Sequence, residues 1–480
     1  MTRFLALGLL CLLFIAGCGK PDHHAEIRFA IAQAPLNLDP RYATDAASER
    51  INRLIYHALV GFDENSKPVP DLASWQALSQ THYRFSLSAK GRQFHDGSRL
   101  TATDVAATYA SLAALRDAPH AAEFANIAEV QALDADTVDF YLHQPDNGFP
   151  ARLIIGILPA GQIEKGHDFA HLPIGSGPLK FVSWRSALTL ERINDRQLFM
   201  LLEVKDPTVR VLKLLRGEVD LLQGDLPPEL IRYLRQQAVI AVHESAGANF
   251  SYVGFNLQDA QLKNPLVRQA IAHAIDRQVI IHHALVGGSR ASGAILPPEH
   301  WAGNPDLPAY AYNPRLARAL LQRAGVQLPL KLTYKTSTDA QRVRLATIMQ
   351  AQMRPAGIEL EIRSLDWGTF FDDIKHGKFQ LYGLTWVGIK TPEIYRLAFH
   401  SAAIPPKGAN RGQLRDDDLD RLIEQGAWTK VTQRVNQLLP YVPLWYEGQF
   451  VATRRGLINY ELKADGNWDG LASIKKTHGN

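Results

Sequence analysis

Residues 251–277, SYVGFNLQDAQLKNPLVRQAIAHAIDR, constrain this chain more than any other stretch. They read as a strand, a short loop and a helix. Tyr252, Val253, Phe255 and Leu257 are β-formers, with Gly254 among them and polar Asn256 near the end. Asn264-Pro265 marks a helix start, because Asn caps free N–H groups and Pro loses no hydrogen bond at the first helical position. Val267, Ala270, Ile271, Ala274 and Ile275 then recur at helical spacing, and Arg268, Gln269, Asp276 and Arg277 are expected mostly on the polar face. The stretch lies just past the middle of a 480-residue chain, where a two-lobed protein would cross between lobes.

Further elements place this chain in the α/β class. Residues 331–334 read as a strand, 339–356 as a helix closed by Gly357, and 358–362 as a second strand. That order suggests a βαβ unit with a parallel pair, and open sheets of this kind hold ligands beyond the carboxyl ends of their strands. Asn313-Pro314 repeats the cap logic of Asn264-Pro265. Residues 83–87 and 130–142 alternate as paired strands. Between them Asp96-Gly97 makes a turn, and Thr101 with Asp104 forms a capping box. His95 beside that turn reads as structural. The run Gly175-Ser176-Gly177-Pro178 forces a tight turn and is no phosphate loop, since no Gly-Lys-Ser/Thr follows. With 52 basic and 48 acidic residues the net charge is +4, too mild to point to nucleic acid or a membrane surface.

The first residues carry a separate signal. Arg3 is followed by an apolar run over residues 4–16, too short to span a bilayer, and then by Ile15-Ala16-Gly17-Cys18, which resembles a lipobox. The expectation is a lipoprotein signal peptide over 1–17, lipidation of Cys18, and a tether over 18–25 in which His23-His24 are solvated. The protein is then extracytoplasmic or periplasmic, held to a membrane by lipid.

The central stretch resembles the signature of the family 5 extracellular solute-binding proteins, the peptide, dipeptide and nickel receptors of ABC importers. Other segments are similar in the same order: LIYHALVGFDENSKPVPDLASW (54–75), GRQFHDGSRLTATDVAATYASL (91–112), HLPIGSGPLKFVSW (171–184), GEVDLL (217–222) and LLPYVPLWYE (438–447). The resemblance implies a two-lobed periplasmic-binding-protein-like fold with an additional subdomain, mixed sheets in each lobe and a two-segment hinge. The first lobe is expected over 26–60, 175–255 and 445–480, the subdomain over 61–174 and the second lobe over 256–444. The hinge is expected near 250–256 and 444–450. A ligand would bridge the lobes and favour the closed form.

The resemblance also points to ligand contacts. Arg41, Thr44 and Asp45 lie in the loop after the first strand, and Tyr252, Asn256, Trp386, Gly388 and Lys390 near the centre of the cleft. In peptide-binding relatives an acidic residue commonly follows the Trp by about three positions and meets the peptide ammonium. Here Ile389 stands in its place with Lys390 beside it. A cleft-facing Lys390 would favour an acidic or N-blocked ligand. A peptide-like solute is the first expectation, with a nickel chelate or another small molecule as the alternative and an exported hydrolase a distant third. No G-x-S-x-G, H-E-x-x-H, G-x-G-x-x-G or C-x-x-C occurs. No catalytic residue, metal site or cofactor is expected. The expected partners are the solute, the permease subunits of an importer and, through lipid, a membrane, with the protein itself a monomer that binds no nucleic acid.

Overall fold

The computed structural model describes residues 26–114 and 124–477, so the leader, the lipobox and Cys18 lie outside the described residues. Among these, no helix is long and apolar enough to cross a membrane.

The largest sheet has eleven strands. In chain order its main members are β1 (Ile27–Ile31), β2 (Leu179–Trp184), β3 (Leu188–Arg192), β4 (Leu198–Glu203), β5 (Leu221–Gln223), β6 (Ile240–Phe255), β7 (Leu330–Ser337), β8 (Ile358–Leu365), β9 (Leu381–Trp386) and β10 (Tyr441–Arg454). Their spatial order is β8-β7-β9-β6-β10-β5-β1-β4-β3-β2, with the short strand Arg290–Ala291 also pairing β10. The sheet is mixed: β1 runs parallel to β4 and β5, whereas β6 runs antiparallel to both β9 and β10.

Two strands are much longer than the rest, β6 with 16 residues and β10 with 14. Their antiparallel register runs from Ile240 opposite Arg454 to Gly254 opposite Tyr441, with shifts between Ser245 and Asn249 and between Ser251 and Tyr252. Upstream of the first shift their neighbour is β5, through Leu221–Thr453 pairing. Downstream it is β9, through Phe250–Trp386 and Phe255–Leu381. The two strands therefore pass from one half of the sheet to the other. Phe250–Phe255 are fully paired to β9, and the first register shift lies just upstream of them, at residues 245–249. Glycine is required there: a Cβ on Gly247 would lie 1.6 Å from the carbonyl oxygen of Glu447.

Apolar packing follows the same division. Ile27, Phe29, Ile51, Leu190 and Trp468 form one core. Residues 59–157 hold their own, with Phe85, Tyr109, Phe140 and Phe149 against a four-stranded antiparallel sheet. Around β6 the alternation of the strand splits two cores. Val253 and Phe255 face Val267, Ile271, Leu332 and Ile358, while Phe250 and Tyr252 face Tyr382, Tyr395 and Tyr441. The expected βαβ unit is present, β7 and β8 pairing in parallel across the helix Ala340–Met353. Thr101 and Asp104 form the expected box, with the Thr101 N–H donating to Asp104 Oδ2 at 2.7 Å. The His95 ring meets the Gly177 carbonyl at 2.9 Å.

The central helix differs in two ways from its sequence reading. It ends at His273, and a second helix, Arg277–Ala284, begins under an Asp276 cap. Arg268 and Arg277 are not on a polar face: they are 5% and 9% exposed. Arg268 donates to the carbonyls of Leu262, Lys263, Leu438 and Leu439, and Arg277 to those of Ala272, Tyr310 and Pro443. A guanidinium has five donors in a fixed fork, which is what chain ends need when no ladder satisfies them. Burial pushes both side chains down to about 10, so both stay charged at neutral pH. Replacing Arg268 by Met orphans its buried carbonyls and is expected to lower unfolding stability by about 2–4 kcal/mol. Urea titration of the variant checks this, and a loss under about 0.5 kcal/mol would show that the carbonyls have other partners.

Candidate functional site

β7 and β9 are parallel, and β7 and β8 are parallel, so Ser337, Leu365 and Trp386 end on one edge. Trp386 is opposite Phe250, the first β6 residue paired to β9 past the crossing. The carboxyl ends of these strands thus face the other half of the molecule, the place where open α/β sheets bind ligands.

The loop after β9 reaches across this junction. The Gly388 N–H donates to Asn249 Oδ1 at 3.2 Å, with Gly388 at φ +68°, and Ile389 packs on the aromatic core below. Lys390 Nζ lies 2.5 Å from Asp465 Oδ2, with side-chain exposures of 21% and 6%. Asp465 belongs to the C-terminal segment, which Trp468 anchors edge-on to Phe29 of β1 at 4.9 Å. Burial opposes ionisation of Asp465, but Lys390 outweighs it by charge and hydrogen bond, and the carboxyl sits below its ordinary 3.8. Two more contacts join residues 59–157 to the half of the sheet that carries β7–β9. Arg152 is held between Asp146 and Glu393, both at 3.2 Å, and Trp301 donates to the Ser66 carbonyl at 3.3 Å. At the crossing itself, Glu447 Oε1 accepts from Ser251 Oγ at 2.5 Å and Thr385 Oγ1 at 2.9 Å, with Arg342 at 3.4 Å.

Beside these ties lies an aromatic group. Tyr252 stacks on Tyr441 at 4.0 Å and on Trp386 at 6.4 Å, and meets Tyr382 edge-on at 5.9 Å. Arg411, which no sequence motif singles out, enters this group. Its Cζ lies 5.0 Å from the centre of the Trp386 ring and 5.3 Å from that of Phe371, and its Nη1 donates to Tyr252 Oη at 3.2 Å.

The remaining sequence candidates lie elsewhere or have local partners. Arg41 pairs with Asp39 at 2.7 Å and donates to Ser111 Oγ at 3.2 Å. Thr44 is exposed. Asp45 caps the helix Ala46–Ile55 through the Ser48 N–H. Asn256 donates to the Gly377 and Phe379 carbonyls and accepts from the Gln258 N–H, closing the turn after β6. Of the eight candidates, the structure gathers Tyr252, Trp386, Gly388 and Lys390 at one junction. Among the described residues no group of three His, Cys, Asp or Glu side chains is placed to hold a metal ion.

Residues 67–403 match the family of bacterial extracellular solute-binding proteins, family 5 Middle. The chain belongs to this family. It is similar to the probable di/tripeptide-binding protein 5 of Pseudomonas aeruginosa (strain UCBPP-PA14), 27% identical over 87% of this chain and 89% of that protein. Among solved structures it resembles the periplasmic binding protein DppA of Helicobacter pylori in complex with the peptide STSA. The two are 25% identical with a TM-score of 0.80, covering 94% of this chain and 98% of that one. The substrate-binding protein CtaP of Listeria monocytogenes shares the fold at a TM-score of 0.84 and 22% identity, covering 94% and 99% of the two chains. The fold is thus that of the two-lobed periplasmic binding proteins, and the relatives are binding proteins.

In this family member the Lys390–Asp465 pair is the most enclosed tie between the two halves. Removing one partner leaves a buried charge alone. Asp465→Asn is expected to cost about 2–4 kcal/mol of stability in the closed form, and Lys390→Met/Asp465→Leu much less. Because the folded Asp465 value is depressed, the tie is present at neutral pH and is lost only as pH falls through that depressed value. A double-mutant cycle with small-angle scattering at pH 7 and at acid pH checks both, and additive effects of the two changes would remove the tie from the account.

Proposed function

We propose that this chain is the solute-binding component of an ABC importer, capturing a peptide-like ligand between its lobes and delivering it, by closure, to permease subunits. The observation that carries this is the junction at the carboxyl ends of β7, β8 and β9, spanned by Lys390–Asp465. Contacts of that kind form only when the halves approach, so they supply the differential energy that closure needs. The di/tripeptide-binding relative and the peptide complex of the solved neighbour favour a peptide over a metal chelate. We place the lobe boundary at the crossing, residues 245–249 and 447–449, with residues 59–157 as a subdomain on the first lobe. Cys18, in its lipobox, would anchor the protein outside the cytoplasm.

The test is the cargo. The full chain is purified natively, and a portion is denatured and refolded to strip carried ligand. Mass spectra of the two are then compared. A heterogeneous set of short peptides released only from the native sample is the expected result, whereas a single non-peptide species would replace the peptide reading with that compound's class. Cys18→Ser is expected to move the protein from the membrane fraction to the soluble one, and an unchanged distribution would remove the lipid anchor.

A further inference from the structure

Most of the charges at the junction are paired. Lys390 is neutralised by Asp465, Arg152 by Asp146 and Glu393, Arg342 by Glu447, and Lys335 by Asp373. Asp372, on the helix that carries Phe371, faces His376 and Lys378. Among the described residues Arg411 has no carboxylate at ion-pair distance, and its one hydrogen bond is from Nη1 to Tyr252 Oη. Its Cζ also lies over the rings of Trp386 and Phe371, at 5.0 and 5.3 Å from their centres. Such contacts hold a guanidinium in place without taking up its N–H donors, of which only Nη1 has a hydrogen-bond partner here.

The placement directs those donors. The Gly412 carbonyl accepts the Leu257 N–H at 3.0 Å, which fixes the Arg411 backbone at the far end of β6. From there the side chain runs along the strand pair to Tyr252 and Trp386, toward the edge that faces the other lobe. An aromatic platform continues past it, Phe371 stacking on Trp367, which is 59% exposed, with Lys375 also over the Phe371 ring. Local charge is therefore positive, and the carboxylates within reach already have partners. A ligand ammonium meets no counter-charge at this point, whereas a carboxylate completes the guanidinium fork.

We infer that Arg411, framed by Trp386, Phe371 and Tyr252, is a specificity-determining contact for an anionic group of the solute. This rests on the reading of the chain as a solute receptor. It makes the ligand class acidic or N-blocked peptides, or peptides held by a carboxylate, rather than peptides held by their ammonium.

Two pairs of probes isolate one carboxylate each: trialanine against trialanine amide, and N-succinyl-trialanine amide against N-acetyl-trialanine amide. Affinities are measured by calorimetry on the refolded full chain. In at least one pair the carboxylate member is expected to bind roughly 10- to 100-fold tighter. Arg411→Gln is expected to abolish that preference while leaving the neutral member's affinity near its original value, and Arg411→Lys to keep part of it. The lysine variant guards against a folding defect, since it preserves charge and length. Binding without a carboxylate preference, or a preference that survives Arg411→Gln, overturns this inference and leaves the receptor reading standing. Failure of every probe to bind, with no peptide in the native cargo, overturns both.

Discussion

The pairing of β6 with β10 is the constraint on which the rest of the molecule depends. Each strand gives part of its length to each half of the sheet, so the halves are tied by continuous backbone ladders rather than by a free linker. A ladder is stiff, and only a break in register lets it flex. Register shifts lie between Ser245 and Asn249 and between Ser251 and Tyr252; at the first, Gly247 allows the two backbones to approach more closely than any Cβ permits. Gly448, on the other strand, allows a close approach of a different kind, to the loop at 287–289: a Cβ there would lie 2.2 Å from the Gly287 carbonyl oxygen. From Phe250 to Phe255, β6 is paired continuously to β9, which ties Tyr252 to that half of the sheet.

That pairing decides which polar groups can act as switches. Glu447 sits on β10 at the crossing and gathers Ser251, Thr385 and Arg342, all on the second-lobe side. It is a fixed post, because its partners share its body. Lys390 and Asp465 do not share one: the lysine rides on the loop after β9, and the aspartate on the segment packed beneath β1. In the proposed closure, energy from that pair is available only in the closed form. A ligand adds to the same balance, and its own contacts need supply only the remainder.

The sequence reveals the local rules of this fold more readily than its long-range ones. Asn264-Pro265, Asn313-Pro314 and Thr101 with Asp104 were legible because a cap acts within one turn. The βαβ unit at β7 and β8 was legible because its periodicities change over a few residues. The true length of β6 was not: its first half, IAVHESAGAN, carries polar residues and no alternation, since its partners are supplied by β10 two hundred residues later. The family resemblance brought Tyr252, Trp386, Gly388 and Lys390 to one place. It carried no sign that Lys390 already has a counter-ion, because Asp465 lies in a turn of unremarkable composition far along the chain.

Arginine shows most clearly where such reading stops. Arg268 and Arg411 are the same residue type in charged, polar contexts, and no pattern separates them. The structure separates them by what their donors meet. Arg268 is surrounded by carbonyls of the turn before its own helix and of the turn before β10, so its Nε and both Nη atoms are engaged in closing the chain. Arg411 is surrounded by rings, which hold a cation's faces and offer nothing to its edge. A guanidinium that ends in carbonyls is part of the architecture. One that is stacked, without a counter-ion and aimed at the lobe junction has kept its hydrogen-bonding capacity, and in a receptor the group left to use that capacity is the ligand.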